Sequence, residues 1–196
     1  MFFKKKSSID YIIVGLGNYG LKYENTRHNM GFICIDRLAN ELFAKFNKHK
    51  FKSIICEANY KNKKLLLIKP QTYMNNSGEA LVEAMRFYKL QPEDVIIIFD
   101  DISLPLGTLR LRRTGSDGGQ KGMRSIIELS GSSDFKRIKV GIGEKPHPDY
   151  ELTDWVLSKF TKKEEKTVKE TAEAAAKATI CIITEGIDNA MNKYNT

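Results

Sequence analysis

The chain is 196 residues long, with 41% hydrophobic and 29% charged residues, which fits one soluble globular domain with a sizeable core. It carries 32 lysines and arginines against 24 aspartates and glutamates, a formal net charge of +8. That balance favours an anionic partner, nucleic acid first; the alternative is a merely lysine-rich solvated surface. No apolar run approaches the roughly 18 residues of a membrane span, and the opening MFFKKKSS lacks the apolar stretch of a secretory signal.

Residues 1–8 read as a flexible extension ahead of a single domain at 9–196. Ile9 to Val14 has strand character and enters a glycine-rich turn, Gly15-x-Gly17-x-x-Gly20. A dinucleotide fingerprint needs a helix to open at such glycines and an acidic residue about 20 positions on. Here Leu21 to Arg27 is polar and irregular, so the glycines are expected to turn the backbone sharply and let it approach a ligand. Asn18, then Thr26-Arg27-His28-Asn29, bring amides and one imidazole to a single crossover. Histidine suits general-base work near neutral pH; the amides of Asn18 and Asn29 suit the placing of a carbonyl or a water. The competing reading of His28 is a structural residue at a helix start.

Ile35, Leu38, Ala39, Leu42, Phe43 and Phe46 keep helical spacing, which predicts a helix over about 29–46. Asn47 to Lys50 reads as a basic connector with a solvated His49. Residues 53–59 and 64–69 form a strand pair around Lys61-Asn62-Lys63. Asn76 with Glu79 three positions on predicts a capping box for a helix burying Leu81, Ala84, Met85 and Tyr88. Asn75 then stands just outside that helix, facing a cleft or merely capping.

Val95 to Phe99 is the most apolar strand, as a central parallel strand should be. It ends in Asp100-Asp101, where open α/β sheets bind ligands. These carboxylates could hold Mg²⁺, orient a histidine or cap a turn. Residues 108–113 alternate, Leu109 and Leu111 on one face, Arg110 and Arg112 on the other. Gly115 to Gly122 reads as a mobile loop before a helix burying Met123, Ile126, Ile127 and Leu129, stopped at Gly131. Residues 137–143 form a last strand with Lys139 outward, and His147 lies in a loop. Thr161 with Glu164 predicts a second capping box, before an alanine-lined helix that ends at Gly186. Cys34, Cys56 and Cys181 have no C-x-x-C spacing and read as reduced core thiols of a cytosolic protein. Together these elements imply an α/β domain: a mixed, mostly parallel twisted sheet flanked by helices.

Several segments, in order, resemble bacterial peptidyl-tRNA hydrolase. They are Val14-Gly-Leu-Gly-Asn18-x-Gly20, Tyr23-x-x-Thr26-Arg-His28-Asn-x-Gly31-Phe, Lys69-Pro-x-Thr72-Tyr-Met-Asn75-x-Ser77-Gly78, Asp100-Asp-x-x-Leu-Pro-x-Gly107 and Arg137-x-Lys-Val-Gly-Ile-Gly143. A short strand-to-turn near Trp155-Val-Leu also has a counterpart. The resemblance implies a monomeric, cytoplasmic hydrolase of the ester between a peptide and the 3′ end of tRNA, with no metal or cofactor. It implies His28 as general base and Asp100 as its partner. Asn18, Tyr23, Tyr73 and Asn75 would contact substrate, and Arg112 and Lys139 would meet tRNA phosphate. The family often has arginine where Lys139 stands and proline where Tyr19 stands. Its loop commonly reads Gly-Gly-His-Asn-Gly; here Gln120 and Lys121 replace the histidine and asparagine, and are expected to contact substrate. That departure keeps open a non-catalytic RNA-binding protein on the same fold. Asp100-Asp101 keeps open a Mg²⁺-dependent phosphoesterase.

Overall fold

The computed structural model describes residues 8–195. The extension expected at 1–8 lies, apart from Ser8, outside them. Seven strands form one sheet: β1 (Tyr11–Gly15), β2 (Lys48–Lys50), β3 (Ser53–Tyr60), β4 (Lys63–Pro70), β5 (Val95–Asp101), β6 (Leu109–Arg112) and β7 (Lys136–Gly141). Their spatial order is β2-β3-β4-β1-β5-β7-β6. The pairs β1–β4, β1–β5 and β5–β7 are parallel; β3 and β6 run against their neighbours. Among the described residues six α-helices flank the sheet: α1 (Met30–Glu41), α2 (Ser77–Tyr88), α3 (Lys121–Ser130), α4 (Leu152–Leu157), α5 (Glu165–Glu185) and α6 (Ile187–Tyr194).

Successive strand residues point to opposite faces, so the apolar strands serve two cores. Ile13, Ile96 and Ile98 pack with α1, α5 and α6. Ile12, Val14, Ile97 and Phe99 pack with α2 and α3. All seven residues of β5 are buried, as the unbroken apolar run predicted for a central strand. The start of α1 is pressed onto the sheet through glycine. A Cβ on Gly31 would meet Ile98 O and Leu16 O at 2.4 Å, and one on Gly15 would meet Gly31 O at 2.4 Å. These glycines therefore serve protein–protein contact, not the approach of a ligand; of the turn glycines, Gly20, at φ 104°, has open space around it.

Four expectations are corrected. The first helix stops at Glu41, a turn early: Phe43 takes φ 54°, and Ala44 N–H reaches back to Ala39 O at 2.9 Å, closing a Schellman-type end without glycine. The connector at Lys48–Lys50 is an exposed edge strand, on which His49 is exposed. No side-chain bond caps α2, because Glu79 pairs with Lys52 instead. The segment ending at Trp155-Val-Leu is a short helix, α4. The hairpin is a two-residue turn, Lys61 and Asn62 at φ 43° and 63°, and Tyr60 faces Lys63, as a type I′ connection requires. Among the described residues no helix is long and apolar enough to cross a membrane.

Candidate active site

The carboxyl ends of β1, β4 and β5 open onto a cleft of about 460 Å³, lined by residues from the β1 turn, the segment before α2, the loop before α3, and α4. Asp100 and Asp101, adjacent at the end of β5, point to opposite faces, as strand geometry requires. Asp100 Oδ2 stands 2.7 Å from His28 Nδ1, and both side chains are largely buried. The bond occupies Nδ1 and leaves Nε2 without a protein partner among the described residues. Asp101 turns the other way, 2.5 Å from the Lys139 ammonium, and accepts from Ser103 N–H and Oγ–H. Burial alone would raise the Asp101 carboxyl; Lys139 and the Ser103 bonds outweigh it and hold the group below its ordinary value. The two aspartates thus converge on no common point, and no cluster of three potential metal ligands occurs among the described residues.

Gln120 is buried as the N-cap of α3. Its Oε1 accepts from Met123 N–H at 2.8 Å, while its Nε2 donates to Asp100 Oδ1 at 3.1 Å and lies 3.0 Å from Met74 Sδ. Both ends of the amide are held by protein, while the residue still lines the cleft. The loop before it, expected to be mobile, is tied at Gly119 N–H and Arg124 Nε–H, both donating to the Asp117 carboxylate. Lys121, the first residue of α3, is exposed at the cleft wall.

The β1 turn is clamped. Asn29 Oδ1 accepts from Asn18 N–H at 2.8 Å and Asn29 Nδ2 donates to Asn18 O at 2.9 Å. The Asn29 amide is therefore structural and does not reach substrate, contrary to expectation. Asn18 Oδ1 in turn accepts from Met74 N–H at 2.8 Å, which fixes the orientation of its amide and leaves its NH₂ toward the cleft. Tyr73, just before Met74, sits at φ 58°, ψ 164°, a region costing of order 1–3 kcal/mol for a residue with a Cβ. Its ring stacks on Tyr19 at 4.4 Å between centroids and meets Tyr23 edge-on at 6.3 Å. Asn75 is exposed in the cleft wall, and its side chain has no hydrogen bond among the described residues.

Residues 12–196 match the family model for peptidyl-tRNA hydrolase. The chain belongs to that family. It is 50% identical over 185 residues to a peptidyl-tRNA hydrolase from Thermoanaerobacter sp. (strain X514), an alignment covering 94% of this chain and 99% of that one. A peptidyl-tRNA hydrolase from Lachnospira eligens is likewise 50% identical over 94% of this chain and 99% of its own. In three dimensions the crystal structure of peptidyl-tRNA hydrolase from Acinetobacter baumannii superposes with a TM-score of 0.89 at 31% identity, covering 99% of this chain and 98% of that one.

Within this member of the peptidyl-tRNA hydrolase family, the fold gathers Asn18, Tyr23, His28, Tyr73, Asn75, Asp100, Gln120 and Lys121 round one cleft. Arg112 and Lys139 lie apart from it on the β6–β7 face. Lys139 is already paired with Asp101, and Arg112 donates to its neighbour Leu111 O. Strand register sets Arg110, not Arg112, directly opposite Lys139; the alternation of residues 108–113 showed Arg110 on that face without singling it out. Arg137, opposite Arg112, is buried and donates to the carbonyls of Phe135, Ser116 and Ser133. Burial pushes its guanidinium below the ordinary value.

Sequence reasoning also missed Arg27, the neighbour of His28. Its guanidinium lies 3.9 Å from the Trp155 ring centroid, grips both oxygens of Glu164 at 2.9 and 3.0 Å, and donates to Ser158 Oγ and Ile142 O. Glu164 accepts from Thr161 N–H and from Thr161 Oγ–H, but Glu164 is itself the N-cap of α5 and no side-chain bond caps that helix, so the second expected capping box is only half formed. The larger task of Glu164 is to neutralise Arg27 across 137 positions of sequence, a link that no local motif signals.

Proposed function

We propose that this protein hydrolyses the ester joining a peptide to the 3′ end of tRNA, releasing both. The observation that carries the reading is the His28 Nδ1···Asp100 Oδ2 bond of 2.7 Å at the wall of a cleft, which leaves Nε2 able to take a proton. In this mechanism His28 Nε2 removes a proton from water, and the water oxygen attacks the ester carbonyl carbon. Asp100 holds the Nδ1–H and stabilises the imidazolium that forms. The amides of Asn18 and Asn75 donate to the carbonyl as it becomes an oxyanion. Collapse breaks the bond to the ribose oxygen, which recovers the proton from His28. Tyr23 and Tyr73 flank the bound substrate, with Lys121 at its rim.

Arg112, with Arg110 and Lys139 on the same face, would meet tRNA phosphate, giving affinity without sequence readout. The enzyme works as a cytoplasmic monomer in this reading. A binding protein without catalysis would have no use for a buried base–carboxylate pair, so the intact His28–Asp100 geometry favours the enzyme. The test is release of N-acetyl amino acid from N-acetyl-aminoacyl-tRNA beside unblocked aminoacyl-tRNA. Cleavage of the blocked substrate supports the proposal; cleavage of neither contradicts it.

A further inference from the structure

The Asp100 carboxylate has two oxygens, and the structure gives each its own donor. Oδ2 faces His28 Nδ1 at 2.7 Å; Oδ1 accepts from Gln120 Nε2 at 3.1 Å. The orientation of the Gln120 amide follows from chemistry. Met123 N–H can only donate, so the oxygen of the amide must face it, at 2.8 Å. The NH₂ is thereby aimed at Asp100, and Gln120 is 7% exposed. The start of α3 thus acts as a jig: capping the helix fixes one end of the amide, and the other end fixes the carboxylate.

We propose that Gln120 is a positioning residue, whose N–H locks the free oxygen of Asp100 and so holds the His28–Asp100 pair in its working geometry. The proposal rests on the reading of His28 as the base. In this role Gln120 acts through Asp100. Unlike the histidine common in the family at this place, it supplies its N–H at every pH. The ionisable groups round the cleft beside the pair are Lys121, Tyr23 and Tyr73; Asp101, next in sequence, points to the other face and is bound to Lys139.

The competing role is helix capping alone, which needs only the oxygen. Gln120→Asn separates the two. Asparagine is among the best N-caps, but one methylene shorter it cannot also reach Asp100. The expected result is a fall in kcat of about tenfold, with KM little changed and the melting temperature at pH 7 within about 2 °C of native. The acid limb of the kcat/KM profile moves to higher pH by roughly half a unit or more, because the carboxylate anion loses a hydrogen bond. Gln120→His, assayed at pH 8, recovers most of the lost kcat, since neutral imidazole still offers one N–H. In parallel, NMR follows the His28 ring signals against pH, and they titrate at higher pH in Gln120→Asn than in the native protein. Native kcat, a native acid limb and superposing ring titrations in Gln120→Asn would overturn the proposal and leave Gln120 a cap. If the native protein released no peptide from tRNA, the proposed function would fall. The ring titrations would then still decide whether Gln120 holds the pair.

Discussion

Replacing Asp100 by asparagine changes one atom type, and the surrounding bonds dictate its consequence. The native carboxylate accepts twice, from His28 Nδ1–H and from Gln120 Nε2–H. Asparagine has one acceptor and one NH₂. With its oxygen toward His28, its NH₂ meets the NH₂ of Gln120, which cannot turn because its oxygen holds Met123 N–H. A buried donor without an acceptor costs about 1–3 kcal/mol. With the oxygen toward Gln120, the new NH₂ faces His28, and the imidazole must move its proton to Nε2, the nitrogen needed as base. The second arrangement is the cheaper, so the wrong tautomer prevails. Loss of the charged partner for the imidazolium adds about 1.5–3 kcal/mol. Together these raise the barrier by about 4 kcal/mol, or roughly 10³ in rate. The assay is single-turnover hydrolysis of N-acetyl-aminoacyl-tRNA, with tRNA affinity from filter binding as the control. Affinity should stay within about twofold of native, since the pair lies off the cationic face. A rate within tenfold of native would refute the tautomer reasoning.

Three further outcomes follow from the packing and the charges. Gly31→Ala places a Cβ against Ile98 O and Leu16 O at 2.4 Å; backbone cannot swing aside, so about 3 kcal/mol of stability should be lost, with a fall in melting temperature of about 6–12 °C, and a fall below 2 °C would show that the β1 turn yields. Glu164 and Asp101 are held below their ordinary values of 4.5 and 3.8; the unfolded chain therefore takes up protons first, and the stability they contribute is whole at neutral pH and drains away as pH falls below those values, which urea melts across pH 3–6 would detect as a falling midpoint. Arg110→Ala and Arg112→Ala should each weaken tRNA binding and reduce the salt slope by about one, measured by filter binding across salt; unchanged slopes would remove the β6 face from the interface.

Strands were legible where an unbroken apolar run or a two-residue alternation marks them, as at Val95–Asp101 and Leu109–Arg112; the wholly exposed basic strand Lys48–Lys50 carries neither pattern and was hidden. Helix ends were legible where glycine marks them, as at Gly131, and hidden where a bulky residue takes the left-handed conformation, as at Phe43 and Lys89. His28 and Asp100 were each readable as candidates from residue type and place, at a helix start and a strand end; their pairing was implied by the resemblance, and the structure joins them at 2.7 Å. What separates Asn18 from Asn29 was not readable. Both are amides at one crossover, and the choice between site and scaffold depends on which atoms the Met74 N–H and the Asn18 backbone reach. The bonds of Gln120 were unreadable for the same reason: they appear only once the start of α3 is set beside the end of β5. Arg27 and Glu164 meet through tertiary structure alone.

The most direct test of the central claim compares native protein with His28→Ala in release of N-acetyl amino acid from N-acetyl-aminoacyl-tRNA, at enzyme concentrations that saturate the tRNA. Rapid release by the native protein, abolished in the variant while tRNA binding persists, is the expected result. Undiminished release by His28→Ala would contradict the assignment of His28 as the base.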